Sequence, residues 1–331
     1  MNQLTVFLIA AVLSAAGGEG VKPKVELTEG DHKIDVMIDG KLFTSYRYDE
    51  QLTKPILFPV YTPSHVAVNR GYPLEKVEGE STDHPHHTGI FMTYDKVNDD
   101  GFWNNTQAPP QIKHIKVVKM RGGAGRGRLS TIMDWVGKSG QVLLEENRTM
   151  VFTAEPNEYA IDFNIDLAAK DTKVVLGDTK EGMFAIRVAE WLKEKGGTGT
   201  YLSSNGDQKE ENVWGKKAKW MRLQGQKDGK PIGIAIFNHP TSVNYPTYWH
   251  ARAYGLFAAN PLGQYDFEKK RNPEKAKKAS ITLEPGQKIH LRFLMVIYEG
   301  DRTKEQLEKQ FESFAKKGEG RKKKAAAKGV D

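Results

Sequence analysis

The sequence predicts an all-β protein, a large antiparallel two-sheet sandwich with a minor helix near its C-terminus. Three observations predict it. Apolar and polar residues alternate in one segment after another, the period-two pattern of strands with one buried face. Gly, Pro, Asn and Asp separate these segments roughly every 10–15 residues, the spacing of short connections in antiparallel sheets. The helical crossovers that a parallel α/β fold requires are missing. The chain has 331 residues and no internal repeat, which makes the sandwich larger than an immunoglobulin-type unit of ~100 residues.

Taken in order, residues 4–16 (LTVFLIAAVLSAA) form an uncharged apolar run ending in small residues. A membrane span takes roughly 20 residues, so the run fits the apolar centre of a signal peptide over residues 1–16. The alternative is a buried core strand or helix. No later segment reads as a transmembrane span, and the expected location is periplasmic or secreted.

Residues 33–48 place Asp39-Gly40 between two alternating runs, a strong hairpin signal. Residues 127–152 repeat that pattern around a Gly/Ser turn, and 218–237 form a further hairpin. In 158–169, Tyr159, Ile161, Phe163, Ile165 and Leu167 share one face. Residues 288–300 read as a long closing strand, followed by a helix that Asp301 or Thr303 caps. No Pro/Ser-rich linker interrupts the body, so residues 17–315 are expected to form one domain.

The charge sits mainly in the tail. The formal net charge is +7, from 49 Lys and Arg against 42 Asp and Glu. Residues 316–331 hold seven basic and two acidic residues, or +5, which leaves +2 for the rest. The tail cannot bury a face and is expected to be a disordered basic extension. Without aromatics it offers no specific nucleic-acid interface. Zero cysteine excludes disulfides, thiolate zinc sites, iron–sulfur clusters and a cysteine nucleophile. Walker A, Rossmann, nucleophile-elbow and H-E-x-x-H patterns are absent, so no cofactor is expected.

Chemistry is expected where titratable groups cluster beside aromatics. His84, His86 and His87 fall within DHPHHTG (83–89), in a chain with nine histidines. Pro85 removes a ladder donor and makes the segment a loop or edge. If extended, it would put His84 and His86 on one face and His87 on the other. Imidazoles so placed serve proton transfer or metal ligation; the alternative is a turn whose histidines only hydrogen-bond the backbone. Glu181, in GDTKEGMFAIRVAEW (177–191), is a candidate base or a solvated turn residue. Arg187 lies inside the apolar run and needs a partner. In YPTYWHARAYG (245–255), His250 and Arg252 share a face and flank Trp249 and Tyr254, which form either a platform for a sugar ring or part of the core.

The motifs KPILFPVYTP, Arg70-Gly71-Tyr72-Pro73, DHPHHTGIF, GDTKEGMFAIRVA, VWGKKAKW, IFNHP and YWHARAYGLFAANPLG together resemble the PmoA-like family of exported bacterial proteins, over essentially all of residues 30–300. That resemblance carries no established reaction and implies a carbohydrate ligand. The His-Pro-His-His segment is similar to a loop of galactose-mutarotase-like supersandwich proteins that carries a sugar-ring histidine. By that likeness His86 or His87 with His250 would be acids and Glu181 the base. His84, Arg70, Trp103, Trp249 and Arg252 are the expected substrate-binding residues. The expected function is an exported carbohydrate-active protein that transfers a proton on a sugar or keto-sugar. A non-catalytic glycan-binding protein and a metal-dependent enzyme built on His84, His86, His250 and Glu181 are the alternatives.

Overall fold

The computed structural model describes residues 22–317. The expected signal peptide and the tail beyond Lys317 lie outside the described residues. Among those described, antiparallel sheets of nine and eight strands pack face to face, beside a two-stranded ribbon of Val174–Leu176 and Ile281–Leu283. The nine-stranded sheet runs from Tyr248–Ala251 at one edge through Leu256–Asn260, Gly182–Arg187, Ile90–Tyr94 and Ile56–Val60 to the N-terminal strands. The eight-stranded sheet is centred on Lys288–Glu299 and Glu158–Ala169.

The turns follow from the residues. Asp39 and Gly40 have φ of 48° and 75°, as do Asp228 and Gly229 with 52° and 74°. Two successive positive φ angles give the primed turn whose twist matches paired strands, and Asp-Gly adopts it at low cost. In Glu158–Ala169 the five alternating apolar residues are buried as their period requires. The sheets meet through aromatic contacts: Phe43 lies 6.4 Å from Phe152, and Phe184 stacks on Phe293 at 4.7 Å. Each such side chain contributes roughly 1.5–3 kcal/mol by leaving water.

The outer faces of the two sheets are covered differently. The eight-stranded sheet carries the helix Lys304–Lys316, which seats Leu307, Phe311 and Phe314 on Trp220, Phe237, Val296 and Tyr298. Thr303 caps it, accepting from the Gln306 amide while the Gln306 side chain accepts from the Thr303 amide. The nine-stranded sheet has no helix there; loops lie over Ile56, Phe58, Phe91, Ala185, Leu256 and Ala258. Short helices at Glu210–Val213 and Gln264–Glu268 add to the sequence expectation, being too short to carry a period.

Candidate functional site

Tyr248–Ala251, Leu256–Asn260, Gly182–Arg187 and Ile90–Tyr94 are buried at every position, on both faces of the sheet. Their register sets one transverse row on the outer face: His250 opposite Ala258, Ala258 opposite Ala185, Ala185 opposite Phe91, and Phe91 opposite Ile56. The two alanines make a low floor. Three strand spacings of about 4.8 Å separate the backbones of His250 and Phe91 by about 14 Å.

The histidine segment closes over the Phe91 end. The His87 amide donates to the His84 carbonyl, so Pro85 and His86 form the corner of a turn. This puts His84 and His87 together, in place of the His84–His86 face of an extended segment. Their rings are parallel at 4.9 Å, and Tyr254 lies parallel to His84 at 4.9 Å on the loop after His250. His86 meets the His87 ring edge-on at 4.3 Å, while Trp103 and Phe91 pack against His87 at 5.4 and 5.8 Å. His84, His86 and Tyr254 are half-buried; His87 and Trp103 are fully covered.

A charged network fixes the turn. Arg70 Nη1 and Arg187 Nη2 donate to the same Asp83 oxygen at 2.7 and 2.6 Å, and the other oxygen lies 2.8 Å from His84 Nδ1. Arg70 Nη2 also donates to the carbonyls of His84 and His87. Arg70 is 0% exposed. It therefore staples the turn and does not face a ligand, which corrects the expectation that it binds substrate. Arg187 has the partner its position demanded, yet its Nε and Nη1 have none among the described residues.

The same holds for both ring nitrogens of His87 and for Trp103 Nε1. Lys54, 5% exposed, places its ammonium 5.4 Å from the Phe91 ring centre and makes no hydrogen bond or ion pair among the described residues. Beneath the histidine turn, Arg70 Nε, Arg187 Nε and Nη1, both His87 nitrogens and Trp103 Nε1 thus stay unused beside the Lys54 ammonium.

His250 ends the row, and Glu181 and Arg252 lie off it. His250 is 2% exposed; its Nδ1 lies 2.9 Å from the Lys180 carbonyl, and Trp214 and Phe267 flank its ring. It holds the backbone that carries Glu181, whose half-buried carboxylate pairs with Lys180. Arg252 pairs with Glu210 at 2.6 Å and lies over the Tyr254 and Trp214 rings. Glu181, Arg187 and Arg252 all act electrostatically on the Tyr254 phenol, so Tyr254 links the histidine turn to the Glu181 segment. Trp249 does not belong to the site. Strand alternation turns it into the core between the sheets, where its indole donates to the Ala218 carbonyl.

Burial decides the protonation states. It pushes His86 down to about 4, with Lys54, His84, Arg70 and Arg187 adding to the effect. It pushes His250 to about 3 and His87 well below the usual imidazole range. All three are neutral at pH 7, so they serve as N–H donors or proton acceptors, not as the imidazolium acids expected from the likeness to mutarotases. Burial also lowers the Lys54 amine to about 8 and raises the Tyr254 phenol to about 12. For Asp83, burial acts upward, but the His84 hydrogen bond and the Arg187 and Arg70 charges outweigh it and hold the carboxyl low.

Among the described residues, no group of three or more His, Asp or Glu side chains is arranged to hold a metal ion. The set of His84, His86, His250 and Glu181 does not converge as ligands. Nor is any described helix long and apolar enough to cross a membrane. A surface cleft of about 650 Å³ lies beside Tyr248 and Arg271, and one of about 360 Å³ beside Tyr61 and Trp191 reaches Phe58 and Glu190; neither is lined by a histidine.

Sequence reasoning missed Lys54 and Asp83. Asp83 had a signal, because the buried Arg187 required an acid and Asp83 adjoins the histidines. Lys54 had none, since a lysine before a proline in a loop reads as solvated.

The model of DUF6807, a family of unknown function, matches residues 33–312. The PmoA-like resemblance rests on the sequence motifs alone. No curated protein matches the chain. Among solved structures, a GH36 α-galactosidase from Geobacillus stearothermophilus is similar at 10% identity and a TM-score of 0.42, over 84% of this chain and 41% of that one. A galactose mutarotase-like protein from Clostridium acetobutylicum has 8% identity and a TM-score of 0.36, over 86% of this chain and 100% of its own. A galactose mutarotase-related enzyme from Lactobacillus acidophilus has 8% identity and a TM-score of 0.31, over 84% and 98%. This chain spans about two fifths of the length of the α-galactosidase.

Proposed function

The chain belongs to DUF6807, and on that premise we propose that it is an exported carbohydrate-active protein that transfers a proton on a sugar or keto-sugar. One observation carries the reading: a half-exposed platform of parallel rings, Tyr254 and His84, adjoins the neutral His86 imidazole above buried polar atoms that have no partner. Flat aromatic faces match the apolar faces of a pyranose ring. A neutral imidazole donates an N–H to an oxygen on which negative charge develops without giving up its proton. Glu181 is the proton acceptor, and His250 positions it through the Lys180 carbonyl. His87 and Trp103 form the floor and Arg252 the wall.

The test is solvent exchange. Each sugar of a panel of aldoses and keto-sugars is incubated with the protein in D₂O, and deuterium incorporation and anomer exchange are followed by NMR. The wild type is expected to accelerate one of these, and Glu181→Gln to abolish the acceleration while keeping affinity. Saturable binding with no acceleration for any sugar would replace this reading with the glycan-binding one, which the Tyr254–His84 platform also favours. Export is tested on the native protein: a mature N-terminus near Gly17 in the periplasm or medium is expected, and an intact Met1 would contradict it.

A further inference from the structure

The unused groups beneath the histidine turn are unequal in kind. Lys54 offers three N–H donors, Trp103 one, and Arg187 the hydrogens on Nε and Nη1. The neutral His87 adds one donor and the lone free acceptor of the set. Their positions converge: Lys54, His87 and Trp103 surround the Phe91 ring at 5.4, 5.8 and 5.2 Å. Arg187 enters from the neighbouring strand, where its amide donates to the Gly89 carbonyl.

The charges are unequal too. Arg70 and Arg187 share the Asp83 carboxylate, and Lys54 has no acid at all among the described residues. After burial, the largest effects on His86 come from Lys54, His84, Arg70 and Arg187, all of which lower it. A buried site with surplus donors and surplus positive charge is costly unless an acceptor-rich anion completes it. A sugar hydroxyl supplies one donor beside its two acceptor sites and no charge. A carboxylate supplies about four acceptor sites and one negative charge.

We propose that the site takes an acidic sugar, whose anionic group turns the His86 ring aside and seats on Lys54, Arg187 and Trp103 while its ring lies on Tyr254 and His84. This rests on the sugar reading above and narrows it to a substrate class. A uronate carboxylate, a sulfate ester and a phosphate ester share the required chemistry. Burial lowers the Lys54 amine only to about 8, which leaves it charged at neutral pH.

The experiment is calorimetric titration of the full chain at low salt with galactose and glucose, their uronates, and galactose 6-sulfate and 6-phosphate. At least one acidic sugar is expected to bind about tenfold or more tightly than its neutral parent, and that member identifies the acid. Lys54→Gln is expected to remove the preference, and its cooperative melting curve shows that the variant folds. Neutral parents binding as tightly as every acidic sugar would overturn the inference and leave the sugar reading standing. A preference unchanged in Lys54→Gln would equally overturn it. If no sugar binds, inorganic sulfate decides. A sulfate-induced rise in melting temperature that Lys54→Gln abolishes would keep the anion site and sink the sugar reading; no rise would sink both.

Discussion

The two outer faces of the sandwich bury similar aromatic groups and differ in which of their polar side chains find partners. Under the C-terminal helix, Trp220 Nε1 donates to Glu308 at 2.8 Å, and Arg292 makes a two-pronged pair with Asp162 at 3.0 and 2.7 Å. Under the loops of the nine-stranded sheet, Trp103 Nε1, both His87 nitrogens and two Arg187 nitrogens are left over. Each buried polar group without a partner costs about 1–3 kcal/mol. The helix-covered face leaves single atoms over, Arg222 Nε and Gln310 Oε1, whereas the loop-covered face leaves His87 and Trp103 with no side-chain partner at all, the difference expected if the second face takes a ligand.

The largest effect expected is from Asp83→Ala. It would leave two buried guanidiniums facing each other and should cost about 3–5 kcal/mol, read as denaturant midpoint. A loss below about 1 kcal/mol would mean that the loop face is not held by this network.

Next is Lys54→Met. The depression of the Lys54 amine from 10.5 to about 8 corresponds to roughly 3 kcal/mol of destabilisation at neutral pH. Removing the charge while keeping the stem should therefore raise the melting temperature, against the usual direction for a buried substitution. A fall would show that Lys54 is already paired.

Acid should be comparably disruptive. His87 and His250 have folded-state values below the unfolded one of about 6.5. The unfolded chain binds the extra protons first, so the stability from their neutral burial is intact above 6.5 and lost as the pH falls towards about 3. The slope approaches about 1.4 kcal/mol per pH unit for each imidazole. His87→Gln should flatten the profile, and an unchanged slope would show that His87 reaches water.

The smallest effects discriminate the faces most finely. Glu308→Ala strips the acceptor from Trp220 and should cost about 1–3 kcal/mol without touching sugar affinity. Trp103→Phe removes an indole nitrogen that has no partner, so its stability should change by less than about 1 kcal/mol while affinity falls. The reverse pattern would erase the distinction.

Much of this architecture was legible in the residues. Alternation in Glu158–Ala169, the Asp39-Gly40 turn and the Thr303 cap act over a few neighbours, and those are the interactions a sequence displays. The histidine turn was visible as a break in alternation, and Arg187 as a charge where none belonged. Other features depend on what lies across the fold. Trp249 and His250 are adjacent and similarly polar-aromatic, yet the pleat sends one to the core and the other to the site. The neutrality of the imidazoles comes from cover supplied by segments far away in the chain, which is why the acid roles expected for them do not hold. Lys54 becomes informative only once Phe91 and His87 are seen beside it.

The central claim is that a ligand seats on the loop-covered face and not on the helix-covered one. The imidazole ¹⁵N spectrum reads both at once, because His87 reports the first face and His239, whose Nδ1 lies 2.8 Å from the Thr241 hydroxyl beneath the helix, reports the second. Titration with galactose and with galacturonate should shift the His87 nitrogens in a saturable way and leave those of His239 in place. His87 signals that stay still across the titration, or that move no more than those of His239, would contradict the account.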